Sequence, residues 1–335
     1  MRVALVGAGL QGRRRAPVLK NLKDTELKVI ASSSLDAAKA LAGPLGCEAS
    51  DDWQSAVARS DIDAVIICTP PDSHEEISVA ALNSGKHVLC EKPLARTVAE
   101  GQRMAEAAVK AGKVLKCGFN HRHHPAVKLA REYFDRGDLG RPSFARARYG
   151  ICGRPGYEKE WRADPEVAAG GHFLEQGIHA IDLFRWFLGD LTEAVGFTST
   201  QFFKDQPLDD NGMALFRSAE GATAMLHSSL TQWKNLFSFE VFGQDGYVQV
   251  EGLGASYGVE KCIFGKRDFN GPFKDVVTEF RGADISWAEE WKEFASAVKE
   301  KRDPLGSVRD GIESLRLAKA VYESEKTGRI IRLNS

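Results

Sequence analysis

Five short, mainly apolar runs, at residues 3–6, 27–31, 64–68, 88–90 and 114–117, punctuate the first 120 residues of this 335-residue chain. Continuous rather than alternating apolarity is what a strand needs when helices cover both of its faces. The segments between the runs carry helical spacing, at 12–22, 35–42, 52–58, 73–83 and 97–111. This alternation predicts an α/β domain built on a doubly wound parallel sheet.

After Gly118 the pattern changes. One more helix, 125–136, precedes longer alternating segments joined by tight turns. Residues 213–218 and 222–230 flank Glu220-Gly221, and 237–242 and 247–250 flank Asp245-Gly246, so two antiparallel hairpins are expected. Helices at 287–299 and 307–326 and a short strand at 330–333 close the chain. This part reads as an α+β domain with a large, mainly antiparallel sheet and helices on one face. The other face needs solvent-tolerant residues or a partner subunit, which predicts a homodimer or homotetramer. The length itself favours two domains, with the boundary expected between residues 119 and 120.

Lys plus Arg number 45 against 46 Asp plus Glu, so no global basic field exists to attract nucleic acid. Cys47, Cys68, Cys90, Cys117, Cys152 and Cys262 contain no C-x-x-C pair, and three of them end apolar runs. That usage fits reduced thiols rather than a disulfide framework or a zinc site. The chain opens directly in a strand without a charged leader, and no run approaches the ~18 apolar residues of a membrane span. A cytoplasmic protein without a membrane partner is expected.

Gly7, Gly9 and Gly12 sit where the first strand hands over to a helix. The first glycine permits a tight turn, the second lets backbone approach a pyrophosphate, and the third lets helix and strand pack closely. Leu10, Gln11 and Arg13 belong to the same turn, whose helix N-terminus supplies N–H groups and a dipole suited to phosphate. An NAD site places an acidic residue about twenty positions past the glycines. Here the second strand ends in Ser32-Ser33-Ser34, with no carboxylate before Asp36. Small hydroxyls accept a 2′-phosphate, and among Arg13, Arg14 and Arg15 a cation is at hand; otherwise these arginines are a solvated first turn. The reading favours NADP over NAD.

Further polar residues fall at the carboxyl ends of later strands, where ligands of such sheets bind. Thr69-Pro70-Pro71 with His74 follows the fourth strand, and Glu91-Lys92-Pro93 follows the fifth. An ammonium placed there can stabilise a developing alkoxide and shift a neighbour's pKa. Past Gly170-Gly171, residues 173–188 read as a helix capped by Gly189. On it Glu175, His179, Asp182 and Trp186 recur at spacings of four, three and four and form one polar stripe amid apolar residues. Such a stripe needs partners, supplied either by a core hydrogen-bond network or by a substrate pocket. His179 is suited to accept a proton because histidine titrates near neutrality. Asp182 reads as a structural ion-pair partner and Trp186 as core. Trp161-Arg162 offers a stacking face and a fixed hydrogen-bonding fork to a polyol. His121, His123 and His124 lie together without a carboxylate or cysteine at ligand spacing, and no metal is expected.

In this order and at these distances the glycine turn, Glu91-Lys92-Pro93 and the Gly170-to-Trp186 segment resemble the Gfo/Idh/MocA family of nicotinamide-dependent oxidoreductases, which act mostly on sugars, inositols and related polyols. The resemblance covers nearly the whole chain. It implies a Rossmann domain at 1–119 that binds the dinucleotide and a domain at 120–335 for substrate binding and oligomerisation. It implies catalytic roles for Lys92, His179 and Glu175, the last standing where the family more often has aspartate. It implies cofactor contacts from Gly7, Gly9, Leu10, Gln11, Gly12, Arg13, Ser32, Ser33, Ser34, Thr69, Pro70, Pro71, His74, Glu91, Lys92 and Asn120. Arg122, which with Asn120 matches the family's Asn-x-Arg, is implied at the substrate with Trp161 and Arg162. The implied reaction moves a hydride between nicotinamide and a secondary hydroxyl or carbonyl of a sugar, inositol or nucleotide-sugar-like substrate. Two other functions stay open: transient oxidation by tightly held nicotinamide within an elimination or hydrolysis, and a cofactor-bound regulatory protein without catalysis.

Overall fold

The apolar runs of the first 120 residues are buried strands in the computed structural model, which describes residues 1–254, 256–272 and 274–333. In chain order come β1 (Arg2–Val6), α1 (Leu10–Lys20), β2 (Glu26–Ala31), α2 (Leu35–Ala42), β3 (Glu48–Ser50), α3 (Trp53–Ala58), β4 (Ala64–Ile67), α4 (His74–Asn83), β5 (His87–Glu91), α5 (Val98–Ala111) and β6 (Leu115–Gly118). The strands pair in parallel in the order β3-β2-β1-β4-β5-β6. This is the doubly wound order, with the direction of winding reversing between β1 and β4 and a ligand crevice opening at that point. Val3, Leu5, Ile30, Ile66 and Leu89 form the core of the sheet. The edge strand β3 has no apolar run to announce it, since Glu48-Ala49-Ser50 is only partly buried.

The second sheet takes its shape from period-two alternation. Its elements are α6 (Pro125–Asp135), β7 (Pro142–Cys152), α7 (His172–Leu188), β8 (Leu191–Ser199), β9 (Asn211–Ser218), β10 (Thr223–Ser229), β11 (Thr231–Gly243), β12 (Gly246–Glu251), β13 (Glu260–Lys266) and β14 (Asp275–Phe280). They are followed by α8 (Ser286–Glu300), α9 (Val308–Thr327) and β15 (Ile331–Arg332). The strand order is β14-β13-β12-β11-β7-β10-β9-β8-β15. Both expected hairpins form, with Arg217 opposite Thr223 and Phe242 opposite Tyr247. One pairing, β7 with β10, is parallel. In β7 the buried side of the alternation is Ala145, Ala147 and Tyr149, interleaved with Arg146 and Arg148, and two alanines are too weak a signal to mark a central strand from sequence.

Helix α7 packs across β7, β8, β9 and β10. Gly212, Ala214, Phe216 and Ser218 of β9 face the buried side, and Met213, Leu215 and Arg217 face out. The open face carries Phe197 (75% exposed), Met213 (56%), Leu215 (52%) and Met225 (44%), with Met213 beside Phe197 and Leu215 beside Met225 in register.

By contacts the chain forms two units, Met1–Asn120 with Trp287–Ile312, and His121–Ser286 with Glu313–Ser335. This differs from a second domain running unbroken from 120 to 335. The reason is packing: Trp291 and Phe294 of α8 are buried in the same core cluster as Val3, Leu5 and Ile30, and the Trp291 indole N–H donates to Thr25. No helix among the described residues is long and apolar enough to cross a membrane.

Candidate active site

In the first unit the expected cofactor residues gather at the carboxyl ends of β1, β4 and β5. Gly7 has φ +109°, and a Cβ there would lie 2.6 Å from the Cys68 carbonyl carbon; a Cβ on Gly12 would lie 2.0 Å from the Gly7 oxygen. Only glycine fits either place. A Cβ on Gly9, by contrast, would meet nothing within 4 Å, so the open space lies over the middle of the turn. Helix α1 starts there without a side-chain cap and without an acidic residue in its first turn, and Gln11 Oε1 is buried with no hydrogen-bond partner among the described residues. An uncapped N-terminus beside an open glycine turn fits a dinucleotide phosphate.

Ser32 and Ser33 follow β2, while the Ser34 hydroxyl is engaged as the N-cap of α2, accepting from Ala37 N–H. Arg13 and Arg14 are exposed. Arg15 is different: it is buried, its Nε donates to Glu91 at 2.7 Å and its Nη2 donates to Glu290 at 2.8 Å. Burial opposes its charge, but Glu91 and Glu290 outweigh burial and hold the guanidinium above its ordinary value. Of the three arginines in the turn, this one is committed inside the protein. So is the Glu91 carboxylate, which also accepts from the Lys92 N–H. Lys116, buried in β6, lies 3.5 Å from Glu290 and completes a quartet of two cations and two carboxylates.

His74 is fully buried, with Nδ1 3.0 Å from the Pro93 carbonyl and Nε2 2.9 Å from the Thr69 carbonyl. Carbonyls at both nitrogens favour the imidazolium, but burial is the larger effect and pushes the ring's pKa down. The histidine thereby clasps the Thr69-Pro70-Pro71 loop to the Lys92-Pro93 loop. Thr69 Oγ1 accepts from Ser73, Pro71 is buried, and Lys92 is the buried first residue beyond β5. Asn120, also buried, ends the first segment of this unit.

In the second unit α7 carries the stripe. Its N-terminus is held by Asp209, whose carboxylate accepts from the Phe173 N–H at 2.7 Å and from the Tyr322 hydroxyl at 2.7 Å. Gly170-Gly171 makes this approach possible, because a Cβ on Gly171 would lie 2.2 Å from Asp209 Oδ1. Burial pushes the Asp209 carboxyl up to about 6 against the lowering effect of those hydrogen bonds. One turn further in, Glu175 lies 3.5 Å from Arg162 Nε, and Arg162 stacks on Trp161 with its guanidinium carbon 4.3 Å from the ring centroid. Tyr157 is buried nearby; burial first and Glu175 second push its phenol well above the ordinary value.

His179 is buried, its ring stacked on that of His121 at 3.7 Å between centroids. His121 Nε2 lies 3.1 Å from the Tyr149 hydroxyl. At the far end of the stripe Asp182 accepts two hydrogen bonds from Arg122, at 2.7 and 2.5 Å, and Arg122 lies over Trp186. The Arg122 fork expected at the substrate is therefore engaged by Asp182. His124 meets Glu260 at 3.0 Å; burial opposes ionisation of that carboxyl, but His124 and the N–H groups of Ala126 and Gly254 hold it below its usual range.

Tyr149, Tyr157 and Asp209 carry no spacing signal that would single them out in sequence, and His121 was considered there only as a metal ligand. Among the described residues no cluster of histidine, cysteine and carboxylate side chains has metal-holding geometry.

Two family models match the chain: the oxidoreductase family, NAD-binding Rossmann fold, over residues 1–119, and the GFO/IDH/MocA C-terminal domain over residues 127–249. The chain is similar to the levoglucosan dehydrogenase of Pseudarthrobacter phenanthrenivorans, at 30% identity across 74% of this chain and 73% of that protein. It is also similar to the myo-inositol 2-dehydrogenase of Thermotoga maritima, at 28% identity across 99% and 98%. A solved levoglucosan dehydrogenase in complex with NADH and L-sorbose superimposes with a TM-score of 0.91 at 25% identity, covering 100% of this chain and 99% of that one. The glycine turn, the doubly wound sheet and the mixed second sheet define a Rossmann-type oxidoreductase. More particularly, the chain belongs to the Gfo/Idh/MocA family.

Proposed function

We propose that this protein catalyses hydride transfer between a nicotinamide dinucleotide and a secondary hydroxyl or carbonyl carbon of a sugar-like substrate, a class that includes sugars, inositols and nucleotide sugars. The observation that carries the reading is the pair Glu175 and His179, one helical turn apart on α7, with Arg162 at 3.5 Å from the carboxylate. Bound nicotinamide supplies the hydride acceptor or donor. His179 takes the hydroxyl proton when the alcohol is oxidised and returns it on reduction. Lys92 stabilises the negative charge that develops on the substrate oxygen. Glu175 orients a substrate hydroxyl and is itself oriented by Arg162; the stacked Trp161 and Arg162 offer a sugar a flat face and hydrogen-bond donors.

The glycine turn and the α1 N-terminus would hold the pyrophosphate, with Leu10, Gln11, Thr69, Pro70, Pro71 and Asn120 around the cofactor. NADP is favoured over NAD because Ser32 and Ser33 present no carboxylate to a 2′-phosphate and Arg13 and Arg14 are exposed beside the turn. The apolar open face of the second sheet supports a homodimer or homotetramer, and six free cysteines fit a reducing, cytoplasmic setting.

A panel of sugars, inositols and nucleotide sugars, followed by absorbance of reduced nicotinamide, tests the reading. On the best substrate Lys92→Met and His179→Ala should each lower kcat by about two to four orders of magnitude, with NADPH affinity unchanged within a few fold. Glu175→Asp should keep more activity than Glu175→Gln. NADPH should bind more tightly than NADH; the reverse preference overturns the NADP assignment. Near wild-type turnover by His179→Ala removes it as proton acceptor, and conversion of substrate without net cofactor turnover shows transient oxidation instead.

A further inference from the structure

An open cavity of about 470 Å³, the size of a small-molecule site, lies between the 153–158 segment, the 202–205 turn and Trp233 of β11. Its wall is built from aromatic rings. Phe202 and Trp233 meet at 75° with centroids 4.8 Å apart, and both are largely exposed, at 60% and 56%. Trp233 has φ +55°, a left-handed backbone that a bulky side chain adopts only at a cost. It stands where the pairing of β11 with β7 shifts register, between Thr231 and Leu236, so the strained residue presents its indole to the cavity instead of packing in the core.

The aromatic wall is held in place and tied to α7. The buried Asp210 carboxylate accepts from the N–H groups of Gln201, Phe202 and Phe203, and the Phe203 ring is so close to Gly153 that a Cβ there would fall 2.3 Å from it. Asp209, the preceding residue, holds the N-terminus of α7 through the Phe173 N–H. One dipeptide therefore sets both the Phe202 wall and the helix that carries Glu175. A chain of charges makes a second link: Arg154, on the cavity, lies 2.5 Å from Glu160, Glu160 lies 3.4 Å from Arg162, and Arg162 lies 3.5 Å from Glu175. The cavity thus borders the Glu175 end of the polar stripe.

Such a space suits one class of ligand. The carbon–hydrogen face of a pyranose packs on flat aromatic surface while its hydroxyls turn to polar groups at the rim. Here the rim carries Arg154 and Lys204 but also Glu158 and Asp205. The carboxylates repel a diphosphate, and Arg154 is already engaged by Glu160. A neutral polyol hydrogen-bonds to both signs.

We propose that this cavity is a second sugar subsite, which holds the ring across the glycosidic bond from the one that reacts, so that the preferred substrate is an uncharged glycoside of two sugar units rather than a free monosaccharide or a nucleotide sugar. The proposal rests on the reading of Glu175 and His179 as the reacting end of the site.

The test compares, on the full chain, monosaccharides with disaccharides that contain them: glucose with maltose, cellobiose and trehalose, galactose with lactose and melibiose, and UDP-glucose as the charged alternative. In wild type the best disaccharide should exceed its monosaccharide in kcat/KM by about tenfold or more, since contacts remote from the reacting carbon contribute to the transition state. Trp233→Gly removes the ring and suits φ +55°, so the backbone accepts it. Combined with Phe202→Ala, it should lower kcat/KM on the disaccharide by about tenfold to a hundredfold and leave that on the monosaccharide within about threefold. Saturation-transfer NMR on the same sugars needs no turnover: protons of both rings should receive saturation from the wild-type protein, and those of the second ring should lose it in the double variant. Equal loss on both substrates, preference for the monosaccharide or for UDP-glucose, or no saturation of any disaccharide overturns the proposal. So does a drop in mass by light scattering in the double variant, which makes the aromatic corner a contact between copies of the chain. Saturation of both rings without hydride transfer on any sugar leaves the subsite standing and removes the hydride-transfer reading instead.

Discussion

Asp209→Asn isolates how the helix that carries Glu175 and His179 is fastened. Asp209 is buried, accepts from the Phe173 N–H and the Tyr322 hydroxyl, and has its carboxyl pushed by burial from near 3.8 up to about 6. A rise of about two units, at about 1.4 kcal/mol each, corresponds to about 3 kcal/mol. The sign follows from proton counting: between pH 4 and 6 the folded state holds the Asp209 proton while the unfolded chain has lost it. Stability from this group therefore falls as pH rises through that window and levels off above it. Asparagine does not titrate. The difference in unfolding free energy, variant minus wild type, should accordingly increase by about 3 kcal/mol from pH 4 to pH 7, whatever its absolute size. Urea unfolding at half-unit pH steps, followed by both tryptophan fluorescence and far-ultraviolet circular dichroism, measures it, with coincident transitions supporting two-state treatment. A flat or shrinking difference refutes the reasoning. It would mean that the α7 N-terminus and the two hydrogen bonds outweigh burial and hold Asp209 ionised at its ordinary pKa or below.

Gly171→Ala should lower stability by about 1–3 kcal/mol, because the new Cβ falls 2.2 Å from Asp209 Oδ1, and should lower kcat while leaving NADPH affinity unchanged in a fluorescence titration. Glu290→Gln should cost about 3–5 kcal/mol in urea unfolding, since Arg15 would then keep only Glu91 and the buried Lys116 would lose the carboxylate at 3.5 Å, whereas Lys292→Gln on the exposed side of α8 should change stability by under about 0.5 kcal/mol. Light scattering should give a mass that is a multiple of 36.7 kDa, and Leu215→Lys with Met225→Lys, adjacent on the open sheet face, should reduce it to that value.

The fold was readable where burial imposes a period. Runs covered on both faces, such as 64–67, and the alternation of 213–218 are direct imprints of the sheets they build. The Gly7, Gly9 and Gly12 turn was readable for a related reason, because contact with the Cys68 carbonyl and the Gly7 oxygen leaves no room for a side chain at the first and last of them. Polar partners far apart in sequence were not. Nothing near Arg15 marks Glu290 as its partner 275 residues on, so the arginine looked like a solvated cation of the turn. Lys116 sits inside an apolar run, and its burial is understandable only with Glu290 and the Leu305 carbonyl in place. The return of Trp291 and Phe294 to the first core was hidden likewise, since an amphipathic helix shows that it has a buried face without showing which sheet that face covers.

The polar stripe of α7 shows how structural and chemical demands divide along one helix. Left to themselves, four polar or amphipathic side chains on a mostly buried helix would each cost free energy unless partnered. At its start the helix is tied to Asp209 and, through it, to Tyr322 of α9; at its end Asp182 is bound twice by Arg122, with Trp186 beneath the guanidinium. Those contacts use strong or bidentate geometry, which leaves little rotational freedom. Glu175 and His179 lie on the turns between the two anchors and meet looser or non-directional partners, an ion pair at 3.5 Å and a stacked ring. A segment held at both ends can keep two such side chains within the narrow tolerance that the proposed proton transfer and substrate orientation require. Stiffness at Asp209 and Arg122 is then a condition for the chemistry proposed at His179, and substitutions at the anchors should disturb kcat.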